Sequence, residues 1–363
     1  MKRTPVVRYL VLSSLLLALV VGASAQQKKK LTFDQLYMGA ETQLFTPLPN
    51  VTGWEDDTHY LVSRRQEGER QPKLYSVDAK SGKETETKAK TPDLGQFREV
   101  VGSDVNVNTP ASANEERTKL IYVKEKDLYL LTTETKEFKR LTQTPSEEKN
   151  PLLSPDADYV AFTRDNNLFA IDLKSGKEYQ YTNDGAKFIY SGYAAWVYFE
   201  EILGRGSRYR AFWWSPDGKK LAFMRFDEAR VPVFPLYNSE GVHGFLEETP
   251  YPKPGDPNPE VRVGIVPVTG GSIVWADFNE KDDQYFGTPF WTPDSKELWV
   301  QWMNRGQDDY KLYGVDPQTG RKRVVYAEQQ SSWIDWMERI EFLKDNKGFI
   351  IRSDKDGWDH MYL

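Results

Sequence analysis

Two adjacent carboxylates, Glu200 and Glu201, lie in an aromatic-rich run from Trp196 to Glu228, just ahead of a strand-and-turn pattern. Neighbouring carboxylates repel, and in a partly buried pocket one tends to protonate unless a cation is supplied. A ligand ammonium, with three donors, would satisfy both. Spacing alone leaves a plainer reading open, in which two solvated glutamates make surface ion pairs with Arg205, Arg208 and Arg210. Other site chemistries find little support. The chain has no cysteine, and His59, His243 and His360 are not spaced as a pair of zinc ligands. Asp354, Asp356, Gly357 and Asp359 lack the alternating acidic triplet and distal Glu of a calcium loop, so they read as a turn between strands. Neither a metal nor a cofactor is called for.

The elements that must position the pair follow from periodicity. Tyr193, Trp196, Val197, Phe199, Ile202 and Leu203 fall at roughly helical spacing, and Gly204-Arg205-Gly206 ends the run, which predicts a short helix or helical turn. Neighbouring helical residues diverge, so the two glutamates reach a common ligand only through their long side chains. Elsewhere, short segments rich in aromatic and β-branched residues read as strands, among them Tyr159-Val160-Ala161-Phe162, Lys220-Leu221-Ala222-Phe223 and Glu297-Leu298-Trp299-Val300. Each follows a polar turn, Ser154-Pro155-Asp156, Ser215-Pro216-Asp217-Gly218 or Thr292-Pro293-Asp294, with a weaker version at Lys344-Asp345-Asn346. A second strand ending in Asp and a Gly turn recurs at Asp78 with Gly82, Asp172 with Gly176 and Asp316 with Gly320. The repeat predicts an all-β fold, a β-propeller of four-stranded antiparallel blades.

With Asp56, Glu116, Asp156, Asp217, Asp294 and Asp345 as blade marks, successive gaps are 60, 40, 61, 77 and 51 residues. The Asp156 to Asp217 gap holds a surplus around Tyr190 to Tyr209, where the carboxylate pair sits. The next gap holds the five-proline stretch from Thr249 to Pro259, which excludes helix and favours an extended loop. Insertions in repeat folds map to loops on one face, often the binding face.

Residues 1–25 carry Lys2, Arg3 and Arg8, an apolar stretch from Tyr9 to Val21, and Ala23-Ser24-Ala25 before Gln26. That is the layout of a cleavable export signal, and the apolar stretch is shorter than the roughly 20 residues of a membrane span. An uncleaved signal would instead anchor the chain. Its removal leaves 45 Lys+Arg against 54 Asp+Glu, net −9, which argues against a nucleic-acid partner. The expected destination is the periplasm or the exterior. Without disulfides, stability must come from core burial.

The run WVYFEEILGRG, followed by RAFWWSPDGKKLAFMRFDEARVP, resembles the dipeptidyl peptidase IV family of serine exopeptidases, at an insertion in the N-terminal β-propeller. VAFTRDNNLFAIDL from Val160, YPKPGDPNPEVRVGIV from Tyr251 and SDKDGWDHMYL from Ser353 are similar to segments of bacterial members, and the likeness runs with gaps from about Leu31 onward. The resemblance implies a propeller over an α/β-hydrolase domain of the same chain, and a glutamate pair that binds the protonated N-terminus of a peptide. Glu200 and Glu201 would hold it, so that dipeptides with Pro or Ala second are released. Phe199 stands where many members carry another acidic residue. The family's assisting arginine has no clear counterpart, and Arg117, Arg205 and Arg208 are the candidates for a supporting role. Arg117, within Glu115-Glu116-Arg117-Thr118-Lys119, reads better as an exposed charge in a turn. The resemblance also allows a homodimer.

No Gly-x-Ser-x-Gly elbow occurs in the 363 residues, so no catalytic residue is assigned and the chain alone is expected to be inactive. The implied organisation is a signal peptide at 1–25, an extension with a short helix at 26–50, and a propeller of six or seven of the family's eight blades at 51–363. A fragment lacking its last blades would expose a sheet edge and be poorly soluble. Two other readings compete: a non-catalytic periplasmic peptide- or protein-binding propeller of the TolB type, and a carbohydrate-binding propeller suggested by 11 Trp and 20 Tyr.

Overall fold

The computed structural model describes residues 30–38, 48–65, 71–87, 93–344 and 347–363. The expected export signal and the turn mark at Asp345-Asn346 lie outside the described residues. The chain divides into two compact units, residues 1–90 and 91–363.

The first unit holds a short helix, Phe33–Tyr37, and one antiparallel sheet. Thr32 caps the helix by accepting from the Gln35 amide while the Gln35 side chain accepts from the Thr32 amide. The sheet runs Asn50–Trp54, His59–Arg64, Lys73–Asp78 and Glu84–Thr87, each strand pairing with the next.

The second unit continues the pattern. Its sheets are Ser112–Ala113 through Glu137–Arg140, Lys149–Leu153 through Glu178–Gln180, a fourth sheet centred on Lys220–Asp227 and Glu260–Pro267, a fifth centred on Leu298–Asn304 and Asp309–Val315, and a three-stranded sixth, Glu341–Phe342, Phe349–Ser353 and His360–Tyr362. Besides one two-stranded hairpin, the described residues thus carry one such antiparallel sheet in the first unit and five in the second, the blade repeat of the β-propeller class that the sequence predicts. Asp354 to Asp359 connects the last two strands.

Local chemistry explains the regular spacing. All five described turn marks fall between the first and second strands of a sheet. In three of them one hydroxyl organises the turn: Ser154, Ser215 or Thr292 donates to Asp156, Asp217 or Asp294 at 2.5, 2.6 and 2.8 Å. The same oxygen accepts from the amide of Tyr159, Lys220 or Glu297 at 3.0, 2.9 and 3.0 Å, which starts the next strand. At the other end, Gly82, Gly176 and Gly320 take positive φ (68°, 73° and 74°) and donate to the carbonyls of Asp78, Asp172 and Asp316.

Alternating side chains in each strand feed different cores. Val160 and Phe162 pack with Ile121, Leu128 and Leu130 of the preceding sheet, whereas Ala161 between them packs with Phe212, Leu221 and Phe223 of the following one. Ala222, Met224 and Phe226 in turn meet Phe286, Trp291, Leu298 and Val300 of the fifth sheet. Each large apolar side chain buried this way contributes about 1.5–3 kcal/mol.

Candidate functional site

The first strand of the fourth sheet is split in two. Ile189–Ser191 and Phe212–Trp214 both pair with Lys220–Asp227, with Ser191 opposite Arg225 and Phe212 opposite Phe223. Residues 192–211 therefore leave and re-enter the strand opposite one residue, Met224. The Gly192 amide donates to the Met224 carbonyl (2.9 Å), the Met224 amide to the Ala211 carbonyl (3.0 Å) and the Ala211 amide to the Gly192 carbonyl (2.9 Å). One rung further out, the Ala194 amide donates to the Tyr209 carbonyl at 2.8 Å. Gly192 makes the exit with φ 73°, and a Cβ there would meet Leu168 Cδ1 at 3.0 Å.

Beyond these rungs the chain is helical from Trp196 to Ile202, as the spacing predicts, but Tyr198–Ile202 is a π turn. The Leu203 amide donates five residues back to the Tyr198 carbonyl at 2.7 Å. Such wide turns recur at functional sites. Tyr198 fastens the turn to the core: it is fully buried, packs edge-on against Phe226 at 4.9 Å, and its hydroxyl accepts from the Phe286 amide at 3.3 Å. Burial pushes its phenol pKa up. Gly204, at φ 75°, ends the run.

Glu200 and Glu201 ride on this turn. The Glu200 side chain is 19% exposed and its Oε1 accepts from Arg205 Nε at 3.0 Å, with a second contact from Arg205 Nη2. The Arg205 side chain is 75% exposed, and the bond to Glu200 raises its pKa. Glu201 is exposed.

Three rings back the pair. Phe199 stacks on Tyr209 with centroids 3.8 Å apart, and Tyr209 stacks on Tyr193 at 4.9 Å and 3°. The Tyr209 phenol is pushed up first by burial, then by the negative charge of Glu247, Glu200 and Glu228, so several carboxylates act on one region. Glu247 comes from a hairpin, Val233–Asn238 with Phe245–Pro250, that precedes the proline-rich stretch. That stretch contains no helix, as expected, although Thr249 and Pro250 belong to the hairpin strand rather than to the loop. Tyr251 meets Trp196 at 4.4 Å, so the two insertions of the fourth sheet pack together.

Of the arginines flagged from sequence, only Arg205 is bonded to the pair. Arg208 is exposed, in the left-handed region at φ 51°, and its side chain has no protein partner among the described residues. Arg117 sits in the turn between Ser112–Ala113 and Lys119–Lys124 at φ 53°, where its charge acts on the Tyr122 phenol. Sequence reasoning missed Arg210 as an individual. It is partly buried, its pKa is lowered by desolvation, and it forms no ion pair among the described residues.

A propeller with an anionic helical insertion in one blade is the class of molecule these features define. The profile of the "Dipeptidyl peptidase IV (DPP IV) N-terminal region" matches residues 113–363, more than half of the chain, and the chain belongs to that family. It is similar to the "Probable dipeptidyl-aminopeptidase B" of Aspergillus terreus, 32% identical over 236 residues that cover 57% of this chain and 25% of the relative. The protein of the same description from Talaromyces marneffei is 32% identical over 233 residues, covering 57% and 26%. Among solved structures, Porphyromonas gingivalis dipeptidyl peptidase 4 shares the fold, with TM-score 0.65 and 24% identity over 87% of this chain and 45% of that one. The chain spans about a quarter of the length of these curated relatives.

Proposed function

We propose that Glu200 and Glu201 receive the protonated N-terminus of a peptide, and that the chain is the substrate-anchoring and gating propeller of an exported dipeptidyl peptidase. Its hydrolase chemistry resides in an α/β-hydrolase domain outside these 363 residues, and its substrates carry Pro or Ala in second place. The observation that carries this reading is the placement of the pair. Both carboxylates sit on a π turn whose entry and exit are pinned to the same strand position, in a chain of the dipeptidyl peptidase IV N-terminal family. A ligand ammonium competing with Arg205 for Glu200 would bridge to Glu201 and relieve repulsion between the two. The exposed apolar hairpin residues Phe234, Leu236, Tyr237, Phe245 and Leu246 agree with a homodimer in the intact protein.

Calorimetry with Gly-Pro-Gly-amide tests the anchor. Glu200→Gln and Glu201→Gln should each weaken binding about tenfold or more, since a charge-assisted hydrogen bond is worth about 1.5–3 kcal/mol. N-acetylation of the peptide should do the same. Binding that ignores both changes would refute the assignment. Export belongs to the same reading, and N-terminal sequencing of the secreted or periplasmic protein should start at Gln26.

A further inference from the structure

The return limb of the insertion has a second polar feature that the glutamate pair does not use. Ser207, Arg208 and Arg210 border an open cavity of about 690 Å³, closed on its other sides by residues 147–151 at the start of the third sheet and by Val123 of the second. Arg210 and Arg208 have no side-chain partner among the described residues, and nothing offsets the desolvation of Arg210. Asn150 Nδ2 and Ser207 Oγ are also buried without a hydrogen-bond partner among the described residues. Buried polar groups are paired in all but a few cases, so several unpaired groups around one cavity call for a ligand.

The charges already present do not supply it. Glu148 is buried and accepts from Thr142 Oγ1 at 3.0 Å, Thr144 Oγ1 at 2.8 Å and Arg164 Nη1 at 3.3 Å. Glu147 lies 3.8 Å from Lys149 Nζ, and Lys149 also sits 5.3 Å from the Tyr193 ring centre. What remains is a donor set of two guanidinium groups, one amide N–H₂ and one hydroxyl. Guanidinium groups pair with carboxylates through parallel hydrogen bonds. The two nearby glutamates disfavour a more highly charged anion such as phosphate.

We propose that this cavity is a subsite for the side-chain carboxylate of an acidic residue at the N-terminus of a bound peptide. The inference rests on the ammonium anchor proposed above. Tyr193 lines the cavity and Phe199 adjoins Glu200, and both stack on Tyr209. One rigid three-ring stack therefore joins an anionic site to a cationic one, the charge pattern that an N-terminal Glu or Asp presents.

Isothermal titration of the 363-residue chain with Glu-Pro-Gly-amide and Gln-Pro-Gly-amide tests the subsite. The acidic peptide should bind about tenfold tighter at low salt, the lower end of what a charge-assisted hydrogen bond supplies. Arg210→Gln should erase that preference while leaving the affinity for the Gln peptide and the thermal melt unchanged, and Arg210→Lys should restore part of it. Should Arg210→Gln unfold the insertion, Arg208→Gln, at an exposed position, is expected to reduce the preference on its own. Equal affinity for the two peptides, or binding of neither, overturns the subsite. N-acetylated forms of both peptides separate the two proposals. A Glu preference that survives acetylation with no loss of affinity leaves the subsite and removes the anchor. Acetylation-sensitive binding without a Glu preference does the reverse.

Discussion

Glu228 closes the acidic region around Tyr209, and its environment differs from that of the exposed Glu201. It is 2% exposed, its Oε1 has no partner among the described residues, and burial pushes its carboxyl pKa up from 4.5 to about 7, with a bond to Tyr190 opposing only in part. A carboxyl with a raised folded-state pKa favours folding in its protonated form. Its contribution is fully present below pH 4.5 and is lost as pH rises from there to about 7. Glu228→Gln keeps the neutral shape at all pH values. It should flatten the pH dependence of denaturant midpoints across that interval and raise stability above pH 7 by roughly 3 kcal/mol. A variant with the same pH slope as the parent would contradict this account. At this scale the sequence exposes charge and spacing but not burial. Glu200, Glu201 and Arg205 were legible because they lie within six residues of one another. The separation of Arg205, bonded to Glu200, from Arg210, left unpaired, was not.

Two positions decide whether the insertion holds its shape. Gly192→Ala places a Cβ 3.0 Å from Leu168 Cδ1 and forces a non-glycine residue to φ 73°. A loss of about 1–2 kcal/mol is expected from the left-handed backbone alone. Peptide affinity should fall with it, because the same residue sets the exit of the loop. Tyr198→Phe removes the acceptor for the buried Phe286 amide, at an expected cost of about 1–2 kcal/mol, without touching either glutamate. Thermal melts of both variants check these values, and an unchanged melt for Gly192→Ala would show that the exit geometry is not constraining. Blade boundaries were readable at this scale because Ser-Pro-Asp and Asp-to-Gly turns depend on hydrogen bonds between residues close in sequence. The hairpin Val233–Asn238 with Phe245–Pro250 was not. Its residues are largely exposed on both faces, so no inside-outside alternation marks it, and Pro235 interrupts the first strand.

For the whole molecule, the absence of a Gly-x-Ser-x-Gly elbow from the 363 residues predicts that this chain leaves a chromogenic Gly-Pro substrate uncleaved while still binding it. Turnover abolished by a serine-directed inhibitor would disprove that division of labour. The sequence by itself determined the repeat, the all-β class, the family and the carboxylate pair. These depend on residue types at short fixed spacings, which survive without three-dimensional information. Only the tertiary structure decided that the 192–211 loop departs and returns opposite Met224, that Trp196 meets Tyr251, and that Arg210 shares a cavity with Asn150 across two sheets. Those relations join residues tens of positions apart through strand register and side-chain packing, and no local pattern in the chain encodes them.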